Sequence, residues 1–103
     1  MANFHSKSID RLFEIILRLE TIEDCYRFFE DVCTIKELQD LSQRFQIAVL
    51  LDRGMNYQAI AKEVDTSSTT ISRVNNCLNY GSGGYRDAVG RLKAAKDAKN
   101  PDL

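Results

Sequence analysis

Apolar residues recur every three to four positions along almost the whole chain. This spacing places them on one face of an α-helix, whereas a half-buried strand would show alternation every second residue. No segment shows convincing two-residue alternation, and there is no internal repeat. The pattern therefore predicts an all-α fold of about six helices, over residues 8–20, 21–33, 34–53, 57–64, 67–79 and 84–97.

Capping residues support several of these helix boundaries. Thr21 is a predicted N-cap of the second helix, and Thr34 and Glu37 have the spacing of a capping box before the third. Gly54 follows the third helix at the position where a left-handed residue commonly ends one. The sequence "YGSGGY" at 80–85 predicts a break before the last helix.

Apolar residues nearly encircle the first and third helices. A helix that is apolar almost all round must be covered on more than one side, and in a chain of 103 residues a partner subunit is a natural source of that cover. The alternative is a small core that is simply rich in Leu and Ile. The pattern favours a homodimer over this alternative.

The stretch "YQAIAKEVDTSSTTISRVNN" at 57–76 has the features of a helix-turn-helix. Ala61 is small enough for two helices to cross closely, and Asp65 stands where the turn requires positive φ, which Asp tolerates. Ser67 can cap the second helix, at an N-terminus that itself favours phosphate. The apolar positions that pack the two helices together are Ile60, Val64, Ile71, Val74 and Leu78.

The second of these helices carries an unusual number of poor helix formers on its outer side. Hydroxyls, amides and one guanidinium are the groups that contact base edges and phosphates in a major groove, so this composition predicts DNA binding. A helical hairpin with a solvated polar face is the alternative, and the presence of only one basic residue, Arg73, favours it. The outward polar residues are Ser68, Thr69, Thr70, Ser72, Arg73, Asn75 and Asn76.

Length and charge indicate the number of domains and the part of the chain that a polyanion would approach. The chain is predicted to be one domain over 1–103 with flexible ends at 1–6 and 98–103, and its net charge of −1 argues against binding nucleic acid by bulk charge. Residues 1–40 hold five Lys/Arg and nine Asp/Glu, whereas 41–103 hold nine and six, so a polyanion would approach the second part.

Several kinds of site and location are not expected. No apolar run reaches the ~20 residues of a membrane span, and the N-terminus has no signal-peptide core, so a cytoplasmic location is predicted. Three Cys without CxxC spacing and a single histidine, His5, predict no disulfide framework, no metal site and no cofactor. An enzyme is not expected either, because there is no phosphate-binding loop, nucleophile elbow or metal-ligand cluster.

From Thr34 to about Leu92 the sequence resembles the Trp repressor superfamily, and in particular its YerC/YecD branch. The stretches that carry the resemblance are "CTIKELQDLSQRFQIAVLLDRG" and "STTISRVNNCLNYG". The resemblance implies an intertwined all-helical homodimer that binds a palindromic operator in double-stranded DNA through two recognition helices. By position, Lys62 would contact a backbone phosphate, and four residues would face the major groove: Ser68, Thr69, Thr70 and Ser72.

The resemblance also implies an effector pocket. In the Trp repressor proper, two arginines and a threonine hold L-tryptophan beside the recognition helix, and Arg44, Arg73 and Thr34 match them. Two residues depart from that pattern: Val74 replaces a glycine, and Cys77 replaces a serine that helps to bind the amino group. Overpacking a tight site costs ~1–3 kcal/mol, so the hypothesis is that tryptophan is not the effector and that a smaller ligand, or none, is used.

Both arginines have alternative roles. Arg44 could be a surface charge paired with Asp40 one turn away, and Arg73 could hold a phosphate or read a base instead of a ligand. The main rival function is a protein-interaction module that keeps the helix-turn-helix as a scaffold.

Overall fold

The computed structural model describes residues 4–99, and side chains as far as residue 95. The described residues form six α-helices and no strand, which confirms the all-α prediction. The helices are α1 (Lys7–Ile16), α2 (Ile22–Val32), α3 (Ile35–Asp52), α4 (Tyr57–Val64), α5 (Ser68–Tyr80) and α6 (Gly84–Lys99). No described helix is both long enough and apolar enough to cross a membrane.

The chain divides into two compact units, residues 1–38 and 39–103. The first unit contains α1, α2 and the start of α3, and no side chain among residues 4–38 is buried. Its most exposed large apolar residues are Leu17, Ile22 and Ile35, at 84%, 77% and 76% of their full accessible area. The apolar stripes of α1 and α2 therefore do not build a closed core within this unit.

The first helix is shorter than its apolar pattern predicted. Periodicity extends to Leu19, but α1 ends at Ile16, and tighter three-residue turns follow through Arg18 and Leu19. The chain then needs an extended residue at Thr21, whose hydroxyl accepts from the backbone N–H of Asp24 as the N-cap of α2. An apolar residue at helical spacing can thus lie just beyond the helix itself.

The predicted caps of α3 are present at both ends. The Thr34 hydroxyl accepts from Glu37 N at 3.1 Å, and the Glu37 carboxylate accepts from Thr34 N at 2.8 Å, which completes the capping box. At the other end Gly54 has φ +84°, and Gly54 and Met55 donate back to Leu51 and Leu50 in a Schellman motif.

The second unit has its own core. α3, α4, α5 and α6 all contribute to it, and partly buried side chains such as Phe45, Tyr57 and Tyr85 pack around it. Within α3 the buried residues include Ile47 and Leu50, whereas Leu41 is 47% exposed. The buried residues of the cluster are Ile47, Ala48, Leu50, Ile60, Ile71, Val74 and Val89.

Both ends of the chain were predicted to be flexible. Flexibility was expected at 1–6 and 98–103, of which 1–3 and 100–103 lie outside the described residues. Ser6 is the N-cap of α1, and α6 continues to Lys99, two residues beyond its predicted end.

Candidate nucleic-acid interface and effector pocket

The turn between α4 and α5 holds the two helices at a fixed angle. Asp65 has φ +55° and ψ +60°, the left-handed conformation predicted for this position, and its N–H donates to the carbonyl of Ala61. Thr66 N donates to the same carbonyl at 3.2 Å. Two donors on one carbonyl close the end of α4 tightly, so α5 begins only four residues after α4 ends.

A side chain from α3 supports the same turn. The Gln43 amide donates to the carbonyl of Val64 at 3.3 Å in a partly buried position. This bond satisfies one of the backbone carbonyls that are left without a helical partner at the end of α4. The role of Gln43 could not be predicted from the sequence, because nothing in a helical pattern shows which turn of another helix a side chain will reach.

Ser67 starts α5 as predicted. Its hydroxyl accepts from Thr70 N at 3.2 Å and lies 3.2 Å from the Thr70 hydroxyl. These contacts bring the Thr70 side chain back towards the cap, and Thr70 is partly buried. Ser67 and Thr70 thus have structural partners of their own, in contrast to the other residues expected to contact DNA.

The remaining predicted DNA contacts are all exposed. Ser68, Thr69, Ser72 and Arg73 lie on the open side of α5, and Lys62 is exposed in the last turn of α4. Burial of Ile71, Val74 and Leu78 on the other side of α5 fixes which face remains open. The structure therefore provides a polar helix face opposite the buried face of α5.

A cavity of about 250 Å³ lies beside α5. Four of the five predicted effector-pocket residues line it: Arg44, Arg73, Val74 and Cys77. Its volume is below the ~300–1,000 Å³ of typical small-molecule sites. Val74 is only 4% exposed, so its branched side chain already takes up space in this wall.

Thr70 and Tyr85 complete the lining, and neither was predicted to belong to the pocket. Burial raises the pKa of the Tyr85 phenol, and Cys77 raises it further, whereas the Arg44 guanidinium lowers it. The phenol of α6 is therefore close to both the cysteine and the arginine. The apolar periodicity of α6 does not show which residues of other helices Tyr85 faces.

Thr34 belongs to the first unit, where it caps α3. The backbone N–H and the hydroxyl of Thr34 stabilise the ionised carboxylate of Glu37 and lower its pKa. This local role accounts for both polar groups of Thr34 in the structure, and its part in an effector pocket stays a prediction.

Comparisons with known proteins agree on one family. The family model described as "Trp repressor protein" matches residues 7–93. The protein YerC of Bacillus subtilis (strain 168), which is described as uncharacterized, is 49% identical over 87 residues, or 84% of each chain.

Two solved structures share the fold. A TrpR-like protein from Eubacterium eligens ATCC 27750 is 46% identical with a TM-score of 0.82, over 84% of this chain and 90% of that one. A structure from Staphylococcus aureus, described as a candidate Trp repressor, is 42% identical with a TM-score of 0.82, over 85% and 88%. The proteins of this family are DNA-binding regulators and not enzymes. The chain thus belongs to the Trp repressor family, and within it to the YerC branch.

Proposed function

We propose that the protein is a sequence-specific DNA-binding transcriptional regulator, and more narrowly a repressor, that acts as a homodimer through its helix-turn-helix. The observation that carries this proposal is the exposed polar face of α5, which the Asp65 turn and the Gln43 bond hold in a fixed position. Poor helix formers on this face gain nothing from packing, but they can hydrogen-bond to base edges.

Within this interface the residues have different roles. Ser68, Thr69 and Ser72 are exposed near the N-terminus of α5 and contact bases in the major groove. Lys62 contacts a phosphate. The backbone N–H groups of the first turn, which Ser67 caps, lie at the positive end of the α5 dipole and favour a second phosphate. Thr70 contributes by holding this cap rather than through a base.

The exposed apolar surface of the first unit supports the proposal of a homodimer. Residues 4–38 bury no side chain, yet they carry several large apolar residues that are more than half exposed. Leaving such a surface in water is unfavourable, and contiguous exposed apolar patches commonly mark an interface. A second copy of the chain covers this surface and places two α5 helices on one palindromic operator.

The cavity beside α5 is the proposed effector pocket, with a ligand smaller than tryptophan. Arg44 and Arg73 both line the cavity and supply positive charge, while Val74 reduces the room for an indole ring. Arg73 lies both on this wall and on the exposed side of α5, so a bound anion competes with DNA phosphate for the same guanidinium.

The test is selection of bound sequences from a random double-stranded DNA library, at low and at moderate salt. The expected result is an enriched inverted repeat whose half-sites lie about one helical turn apart. The net charge of −1 and the single basic residue of α5 favour the second candidate function, a protein-interaction module. That function would be supported if no sequence were enriched and any residual DNA binding were insensitive to salt.

A further inference from the structure

A network of hydrogen bonds joins three helices in the second unit. Asp52 ends α3, and its carboxylate accepts from Arg86 of α6 at 3.3 Å and from Lys93 at 3.3 Å. The second arm of the Arg86 guanidinium donates to the side-chain oxygen of Asn79, in the last turn of α5, at 2.8 Å. Arg86 therefore connects a carboxylate on α3 with an amide on α5.

This hydrogen-bond network continues along α5 to Asn75. The Asn79 NH2 group donates to the Asn75 backbone carbonyl at 3.0 Å and to the Asn75 side-chain oxygen at 3.1 Å. The side-chain bond joins two amides, and each amide has one accepting and one donating end. The orientation of each amide therefore depends on its hydrogen-bond partner in the network.

The charged end of the network, the Arg86 guanidinium, determines the orientations of the two amides. A guanidinium can only donate, so Asn79 must present its oxygen to Arg86 and its NH2 to Asn75. Asn75 must in turn present its oxygen to Asn79. Its own NH2 is left as the free end, with no hydrogen-bond partner among residues 4–99.

Reversal of these amide orientations is unfavourable even though the hydrogen bonds are exposed. A flipped Asn79 would place its NH2 against the Arg86 guanidinium, so that two donors face each other and the 2.8 Å bond is lost. Arg86 is itself held by Asp52, whose side chain is only 18% exposed. A surface ion pair contributes little stability, but it suffices here to fix an orientation.

Asn75 lies on the same stripe of α5 as two of the expected DNA contacts. Ser68, Ser72, Asn75 and Asn79 are spaced at i, i+4, i+7 and i+11, which places them along one side of a helix. Ser68 and Ser72 are exposed, and Asn75 is partly exposed. An oriented donor therefore extends the polar face of α5 towards its C-terminus.

We propose that Asn75 is a further DNA-contacting residue, whose side-chain NH2 donates to an acceptor atom of the duplex. Asp52, Arg86 and Asn79 are positioning residues that turn this NH2 outward. The inference rests on the proposed DNA-binding function and extends it to a residue outside the first two turns of α5. Phosphate oxygens and base-edge acceptors are both acceptors for such a donor.

The experiment is a double-mutant cycle on DNA affinity. Fluorescence anisotropy measures the Kd for the selected operator duplex with wild type, Asn75→Ala, Arg86→Gln and the double variant. Arg91→Gln is the matched control, because it removes one exposed positive charge from the same helix. Asn75→Asp is a second variant that keeps the oxygen facing Asn79 and replaces the NH2 by a second oxygen. Thermal unfolding of every variant is followed in parallel.

We expect Asn75→Ala to raise the Kd about threefold to tenfold per subunit, as for one lost hydrogen bond, and Asn75→Asp to raise it further by charge repulsion. In the wild-type background, Arg86→Gln should raise the Kd more than Arg91→Gln does. In the Asn75→Ala background, Arg86→Gln should raise the Kd by no more than Arg91→Gln does. A loss confined to one position of each half-site assigns the donor to a base, and a uniform loss assigns it to a phosphate.

Two results would overturn the inference while leaving DNA binding intact. One is an unchanged Kd for Asn75→Ala and Asn75→Asp. The other is an Arg86→Gln effect of equal size in both backgrounds, which means that Arg86 acts through the fold and not through Asn75. If the wild type binds no duplex at any salt concentration, the proposed function fails and the inference fails with it.

Discussion

Gln43 on α3 donates a hydrogen bond to the backbone carbonyl of Val64, the last residue of α4. The bond is partly buried and joins residues 21 positions apart in the chain. It therefore links the helix that precedes the helix-turn-helix to the turn that orients α5.

Gln43→Ala is expected to weaken both the fold and DNA binding. Loss of a partly buried hydrogen bond that satisfies a helix-end carbonyl should lower the free energy of unfolding by about 0.5–1.5 kcal/mol. Chemical denaturation measures this change, and anisotropy on operator DNA measures the rise in Kd. Gln46→Ala is the control, since Gln46 is an exposed glutamine on the same helix. Equal effects of the two substitutions would show that the bond to Val64 contributes nothing.

The left-handed conformation of Asp65 gives a prediction about the turn. A side chain larger than hydrogen costs roughly 1 kcal/mol or more in this region, and Asp tolerates it better than most residues. Asp65→Gly should therefore keep or raise the melting temperature, whereas Asp65→Val should lower it clearly and reduce DNA affinity. Circular dichroism melts decide the question. A Val variant as stable as wild type would mean that this turn is not strained.

Local signals allowed much of the second unit to be predicted from the sequence. α4 was predicted at its observed bounds, and α5 to within one residue, because Ser67 is a preferred N-cap residue and Asp65 tolerates the left-handed conformation of the turn. Gly54 ended α3 for the same reason. Such residues favour particular backbone conformations, so their places can be predicted without knowledge of the tertiary structure.

Contacts between helices could not be predicted in this way. The place of Tyr85 beside Arg44 and Cys77 depends on how α6 crosses α3 and α5. The same is true of Arg86, which reaches Asp52 and Asn79 from a third helix. Periodicity defines the inward face of each helix, but it does not define the crossing angles that bring particular side chains together.

The lowered pKa of Glu37 predicts an acid-dependent part of the stability. A carboxyl group whose folded pKa lies below its ordinary value of 4.5 stabilises the fold above that value, and the contribution disappears as pH falls through the lowered pKa. Glu37→Gln can still accept from Thr34 N, but it has no charge to lose. Denaturation midpoints between about pH 7 and about pH 3 should show wild type more stable at neutral pH and the two proteins converging in acid. A difference that stays constant over this range would contradict the prediction.

Tryptophan should bind poorly to the wild-type pocket. Val74 is buried in the wall of a cavity of about 250 Å³, and Cys77 is a weaker hydrogen-bonding group than a serine hydroxyl. In isothermal titration the double variant Val74→Ala/Cys77→Ser should bind L-tryptophan about one to two decades more tightly than wild type. Cys25→Ser is the control, because Cys25 lies outside the cavity lining and is exposed. Micromolar binding by the wild type would refute the hypothesis that another ligand, or none, is used.

The exposed apolar surface of the first unit should be needed for dimerisation. Ile22 is the first residue of α2 and is 77% exposed, so a glutamate there costs the single chain little and even suits the positive end of the helix dipole. In a dimer interface the same carboxylate would be buried without a partner, which is strongly unfavourable. Sedimentation velocity should therefore show wild type as a dimer and Ile22→Glu as a folded monomer with weakened operator binding. Glu23→Gln changes the adjacent exposed residue and should leave the dimer intact. If Ile22→Glu and Leu17→Glu both remain dimeric, the two copies associate through a different surface.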